Sequence, residues 1–210
     1  MPEILTFLSL PQLMTFLSAG IVLNLIPGSD VLTATAFGIK AGPRAGAASG
    51  FGTGLGSLFH IALAALGVAA LIAAHPLALD VIRWAGAGYL VWLGWKSFTA
   101  TPGPDATEVG RSDRLLPVIA KGALTNILNP KPILFILAFL PQFITPEGPP
   151  AALQILALGL LFCTTGTLVT MAYGLLAGLA GRSIGRRMGL LNRIAGLMFG
   201  ALALRLATSG

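Results

Sequence analysis

Apolar residues in this 210-residue chain come in long runs separated by polar connectors, with neither the alternation of a strand nor the single stripe of a surface helix. Six runs are long enough to cross a bilayer, which takes about 20 residues of helix. They fall near residues 12–38, 46–74, 77–98, 116–142, 151–180 and 190–208. Residues 1–11 read as a short interfacial lead-in. They hold Glu3 and no Lys or Arg, unlike the basic start of a cleaved signal, so the first run is expected to be retained. The tight Ala74-His75-Pro76 turn predicts an antiparallel hairpin of runs two and three. The longest polar connector, from Thr99 to Arg114, is the natural midpoint. The pattern predicts an all-α membrane protein with six transmembrane helices.

Two runs are interrupted. Asn24-Leu25-Ile26-Pro27-Gly28-Ser29-Asp30 breaks the first, and Asn126-Ile127-Leu128-Asn129-Pro130-Lys131-Pro132 breaks the fourth. Proline removes a backbone donor and its ring crowds the preceding turn. The carbonyls and amides so freed are tolerated at membrane depth only against protein or a wet cavity. Ser29 or Asp30 is expected to cap the helix that resumes after the first break. Asn126 and Asn129 are placed to bond freed backbone groups at the second.

The two breaks are separated by close to half the chain, and each opens a group of three runs. Three crossings are an odd number, so the second group enters from the opposite side. This predicts two inverted three-helix repeats with broken first and fourth helices in a single integral membrane domain. Residues 1–100 form the first repeat, 101–115 a cytoplasmic linker and 116–210 the second repeat. The substrate site of such a plan lies where the broken helices meet near the midplane.

Composition agrees, with 55% hydrophobic and only 10% charged residues. The net charge of +6 would suit nucleic acid if the basic residues shared a face, but they fall in alternate connectors. Lys40 and Arg44 lie in the first connector; Lys96, Arg111, Arg114 and Lys121 in or beside the third; Arg182, Arg186, Arg187 and Arg193 in the fifth. The second has only Arg83 at its edge and the fourth has none. The positive-inside rule makes the odd connectors cytoplasmic and puts both termini outside. The one cysteine, Cys163, leaves no disulfide framework and no CxxC pair.

Charge inside a span is the informative exception. Asp30 and Lys131 each cost about 2.5–3.5 kcal/mol on insertion scales unless a partner, a substrate or water compensates. One reading is an ion pair, or a capping Asp30, that only fixes the helices. The other is a site for a zwitterion, with Asp30 facing an ammonium and Lys131 and helix amides facing a carboxylate. Candidate substrate-binding residues are Asn24, Pro27, Gly28, Ser29, Asp30, Asn126, Asn129, Pro130 and Lys131. Asp30 and His60 are candidates for carrying a coupling proton, and the alternative for His60 is a bond to a neighbouring helix. Glycines four apart (42 and 46, 50 and 54, 52 and 56, 174 and 178, 181, 185 and 189, 196 and 200) predict close helix packing and offer a face for a homodimer.

These motifs resemble those of the LysE/RhtB family of bacterial amino-acid exporters over nearly the whole chain. Pro27-Gly28-Ser29-Asp30 resembles the family's Pro-Gly-Pro-Asp/Asn motif. Asn129-Pro130-Lys131 is similar to its second motif, Leu140-Pro141-Gln142-Phe143 to the usual end of that helix, and Gly86 to Trp95 to its third-helix pattern. The resemblance implies a multi-pass transporter of the bacterial cytoplasmic membrane. It would export amino acids or related small metabolites by antiport with protons or a related ion gradient. Two positions depart from the pattern: Ser29 replaces a second proline, and Ser57 stands where many members have an acid before the position of His60. The second departure disfavours a strongly basic substrate and favours neutral amino acids.

Other classes fit less well. Export of a metal or other cation, the alternative within the same superfamily, would want clustered His, Cys or carboxylate ligands, whereas the chain has His60, His75 and one cysteine. A hydrolase could draw on Ser57 and His60, three apart on one helix face, but no orienting acid stands near them. Neither an enzyme, a resident metal nor a cofactor is expected.

Overall fold

The computed structural model describes residues 8–74 and 114–180, with isolated positions at 84, 88, 91, 92, 95, 99 and 197. Apart from those positions, the third and sixth expected spans lie outside the described residues. So do the 101–113 linker, the tight turn after Ala74 and the basic connector at 182–193. Among the described residues all regular structure is helical: α1 (Leu10–Leu25), α2 (Ser29–Ala41), α3 (Pro43–Ala74), α4 (Leu115–Ile127), α5 (Pro130–Phe139), a short 3-10 turn (Leu140–Phe143) and α6 (Ala151–Ala180).

Both expected breaks are present. α1 and α2 bend by 52° across residues 26–28, and α4 and α5 bend by 50° across 128–129. Between them, the helices over Pro43–Gly67 and Ala151–Ala180 are long and apolar enough to cross a membrane unaided. Counting each bent pair as one span gives four spans among the described residues, which matches runs one, two, four and five. The α3 helix starts at Pro43 rather than near 46, because Gly42 alone makes the corner between α2 and α3. Its φ of 91° lies in a region that side chains disfavour.

The α3 helix is the centre of the packing, held against α4 on one side and α6 on the other, with α2 against both α3 and α6. Glycine explains how these backbones meet. A Cβ at Gly46 would run into the backbone of Gly174 on α6, and one at Gly52 into the Ile119 carbonyl on α4. Close approach is therefore used inside the chain at these positions, and the glycines at 181, 185, 189, 196 and 200 lie outside the described residues. Below the breaks lies an aromatic cluster: Phe135 stacks on Phe139 at 4.8 Å and on Phe162 at 5.1 Å, and Phe16 meets Phe143 edge-on at 5.2 Å. Phe51 and Phe59 instead point outward, in company with exposed leucines such as Leu66, Leu116 and Leu168.

Candidate functional site

The first break begins where Pro27 ends α1. Ile26 and Gly28 are both extended, and Gly28 is the residue that precedes the first turn of α2. Neither Ser29 nor Asp30 caps that helix: no side chain bonds its first amides, and Ser29 is exposed. The expectation of a side-chain cap is thus corrected. The physical reason is positional, because Ser29 and Asp30 are already helical and their side chains project away from the cap. The carbonyls that α1 leaves open are met from far along the chain. The Tyr173 hydroxyl donates to the Leu25 carbonyl at 3.0 Å, and the Lys131 ammonium donates to the Ile26 carbonyl at 3.2 Å. One residue before Leu25, Asn24 Nδ2 donates to Thr165 Oγ1 at 3.0 Å and to the Phe162 carbonyl at 3.3 Å, which ties α1 to α6.

The second break is capped from within. Asn129 Oδ1 accepts from the Lys131 backbone N–H at 3.0 Å, and Pro130 occupies the first helical position, where no donor is needed. The Asn126 carbonyl, freed at the end of α4, accepts from the Asn129 N–H at 2.9 Å and from His60 Nε2 at 2.9 Å. Because a carbonyl only accepts, Nε2 carries a proton. In the neutral ring Nδ1 is then an acceptor, and it is buried without a hydrogen-bond partner. His60 is thus bonded to a neighbouring helix, through the residue whose amide holds the Asp30 carboxylate.

Asp30 joins the breaks. Its Oδ2 accepts from Asn126 Nδ2 at 2.9 Å and from Asn129 Nδ2 at 3.2 Å. Ser57 Oγ lies 3.3 Å from Asn126 Oδ1 and 3.1 Å from the Thr53 carbonyl, so one hydroxyl proton faces two acceptors. Asp30 and Lys131 do not form a direct ion pair: two amides hold the carboxylate and a carbonyl holds the ammonium. The second carboxylate oxygen, Oδ1, is buried and has no hydrogen-bond partner. Beside these groups lies a cavity of about 50 Å³, lined by Leu23, Asn24, Ile26, Gly28, Asp30, Val31, Asn129, Lys131, Pro132 and Phe162.

Of the residues expected from sequence, Asn24, Gly28, Asp30, Asn129 and Lys131 line this cavity. Asn126 stands behind Asp30, Pro27 shapes the break, and Ser29 and Pro130 are exposed. Sequence reasoning passed over Phe162, Thr165 and Tyr173 on α6. Their signal was a run of hydroxyls, Thr164-Thr165-Gly166-Thr167, and a tyrosine inside an otherwise apolar span. Among the described residues no three His, Cys, Asp or Glu side chains come together as metal ligands, so metal export draws no support.

The model of the LysE type translocator family matches residues 21–210. A homoserine/homoserine lactone efflux protein of Salmonella typhi is 34% identical over 164 residues, covering 77% of this chain and 78% of the relative. A leucine efflux protein of Klebsiella pneumoniae is 33% identical over 205 residues, covering 93% and 94%. An uncharacterized membrane protein of Vibrio cholerae is 34% identical over 164 residues, covering 78% and 80%. No solved structure matches the chain.

Proposed function

The chain belongs to the LysE type translocator family, a membrane protein and not an enzyme, and from that premise we propose that it exports amino acids through a site built by its two helix breaks. The relatives named for homoserine, homoserine lactone and leucine efflux support an amino-acid substrate. One observation carries the site. Asp30 and Lys131 line the same cavity, and two amides and a carbonyl hold them in place of a direct ion pair.

In this reading Asp30 Oδ1 takes the substrate ammonium, a charge-assisted contact worth roughly twice a neutral hydrogen bond. Lys131 keeps one proton on the Ile26 carbonyl and offers its others to the carboxylate. Asn126 and Asn129 hold Asp30 in place through Oδ2. Asp30 is also the group that carries a coupling proton when substrate is absent, and His60 lies one residue behind it through the Asn126 carbonyl. Proton antiport follows as the driving step. In this reading the positive-inside rule supports a cytoplasmic side for Lys40 and Arg44, with both termini outside the bacterial inner membrane and the second half inverted relative to the first.

Purified protein in liposomes with an imposed pH gradient tests this reading. Labelled neutral amino acids are expected to move towards the acidic side, opposite to the proton flow, in wild type, and not in Asp30→Asn. Equal transport by both proteins would overturn the site, and transport indifferent to the pH gradient would overturn the antiport.

A further inference from the structure

Resting on that reading, we infer that Ser57 on α3 is a positioning residue: its hydroxyl fixes which end of the Asn126 amide meets Asp30, and so keeps Oδ1 of the carboxylate for the substrate ammonium. Two side-chain amides hold Asp30 Oδ2, Asn126 Nδ2 at 2.9 Å and Asn129 Nδ2 at 3.2 Å. The oxygen and nitrogen ends of an amide have nearly the same shape, so packing alone does not choose the end that turns to the carboxylate. A partner at the other end does. For Asn129 that partner is local, since its Oδ1 accepts from the Lys131 backbone N–H at 3.0 Å. For Asn126 it comes from another helix, the Ser57 hydroxyl at 3.3 Å from Oδ1.

Ser57 Oγ also lies 3.1 Å from the Thr53 carbonyl, one turn back on α3. That carbonyl stands inside a helix, where the backbone N–H four residues on already serves it. Asn126 is placed differently. It is 1% exposed, and a Cβ added at Gly56 would come within 2.8 Å of its Cβ and 3.1 Å of its Oδ1. Helix backbone therefore closes that side of the amide, and its oxygen draws its donor from the protein. The Ser57 proton counts for more on Asn126 than on Thr53. His60 grips the same residue by its backbone, with Nε2 at 2.9 Å from the Asn126 carbonyl. Of these two grips, only that of Ser57 sets the direction of the amide.

With both amides aligned, Oδ2 is filled by donors and the ammonium is left Oδ1, the oxygen without a hydrogen-bond partner. A reversed Asn126 would set its own oxygen against Oδ2, acceptor against acceptor, and the carboxylate would have to turn away. Ser57 acts through Asn126, so its effect belongs to the ammonium end of the ligand. Lys131, at the carboxylate end, is held separately by the Ile26 carbonyl.

The test is equilibrium binding of leucine, its amide and its 2-hydroxy acid to the purified full-length protein. Ser57→Ala is expected to weaken leucine and the amide, which carry the ammonium, by about 3- to 10-fold, the scale of one neutral hydrogen bond, and to leave the hydroxy acid within about 2-fold. Ser57→Thr keeps a hydroxyl and should bind all three as wild type does. Ser57→Cys, with a thiol as a weaker donor, should fall between, which covers the case in which the alanine variant does not fold. Thr53→Val removes a neighbouring hydroxyl whose bond goes to the Ser49 carbonyl at 3.3 Å, and should spare all three ligands. Equal weakening of the three ligands by Ser57→Ala, no weakening of any, or the same selective loss in Thr53→Val overturns the role of Ser57. Asp30→Asn separates that failure from failure of the site. A selective loss of leucine and the amide in Asp30→Asn but not in Ser57→Ala removes Ser57 alone. Unchanged binding of all three by Asp30→Asn overturns the site, and this inference with it.

Discussion

The two helix breaks solve one problem in opposite ways. At the second break the chain supplies its own remedy, with Asn129 capping α5 and Pro130 placed where its missing donor does no harm. At the first break the local sequence supplies none. Gly28 has no side chain to offer, and the Leu25 and Ile26 carbonyls depend on Tyr173 and Lys131, more than a hundred residues away. The second break is therefore capped locally, with His60 as an added donor to the Asn126 carbonyl, and the first depends on tertiary contacts alone. A ligand held by Lys131 is therefore coupled to the first break through the Ile26 carbonyl and leaves the cap of the second untouched.

Several substitutions would break or sharpen that contrast. The largest effect is expected from Asp30→Asn, which removes the charge at the junction. Initial transport rates should fall by about 10- to 100-fold, the range for losing a charged hydrogen bond. Lys131→Met should lower transport by at least about 10-fold on the same grounds and also leave the Ile26 carbonyl unbonded. Next comes His60→Phe, which strips the Asn126 carbonyl of its side-chain donor. It should destabilise the protein in detergent by about 1–3 kcal/mol, read from a thermal or denaturant unfolding curve.

Asn129→Ala and Tyr173→Phe set the breaks against each other directly. The first removes a helix cap, worth about 1 kcal/mol, together with one amide on Asp30. The second removes only a hydroxyl bond to Leu25, worth about 0.5–1.5 kcal/mol. If the first break is completed by tertiary contacts, Tyr173→Phe should increase amide hydrogen exchange around residues 26–30 and spare 127–131. Equal exchange at both breaks would erase the contrast.

Much of this was legible in the sequence. Pro27 and Pro130 inside apolar runs announced both breaks within a residue or two, because proline's missing donor acts locally. Asp30 and Lys131 stood out because charge in a span needs an explanation. The α6 helix matched its expected bounds of 151–180 for the same local reason, an unbroken apolar run between polar flanks. What could not be read was partnership. Nothing in the Asn126 or Asn129 sequence context says that their amides turn to Asp30, or that Asp30 leaves its own helix end uncapped. Those choices depend on how closely α2, α3 and α4 approach. That closeness is set by glycines such as Gly52 and Gly122, whose partners are known only once the backbones are placed. Phe162 and Tyr173 were missed because an aromatic residue in an apolar span looks the same whether it faces lipid, core or substrate.

The most direct test of a single two-ended site is which end of the ligand each break reads. Equilibrium binding of leucine, its amide and its 2-hydroxy acid to wild type, Asp30→Asn and Lys131→Met separates the two ends. Asp30→Asn should weaken leucine and the amide, which carry the ammonium, and spare the hydroxy acid. Lys131→Met should weaken leucine and the hydroxy acid, which carry the carboxylate, and spare the amide. A uniform loss across all three ligands in both variants, or no loss in either, would contradict the account.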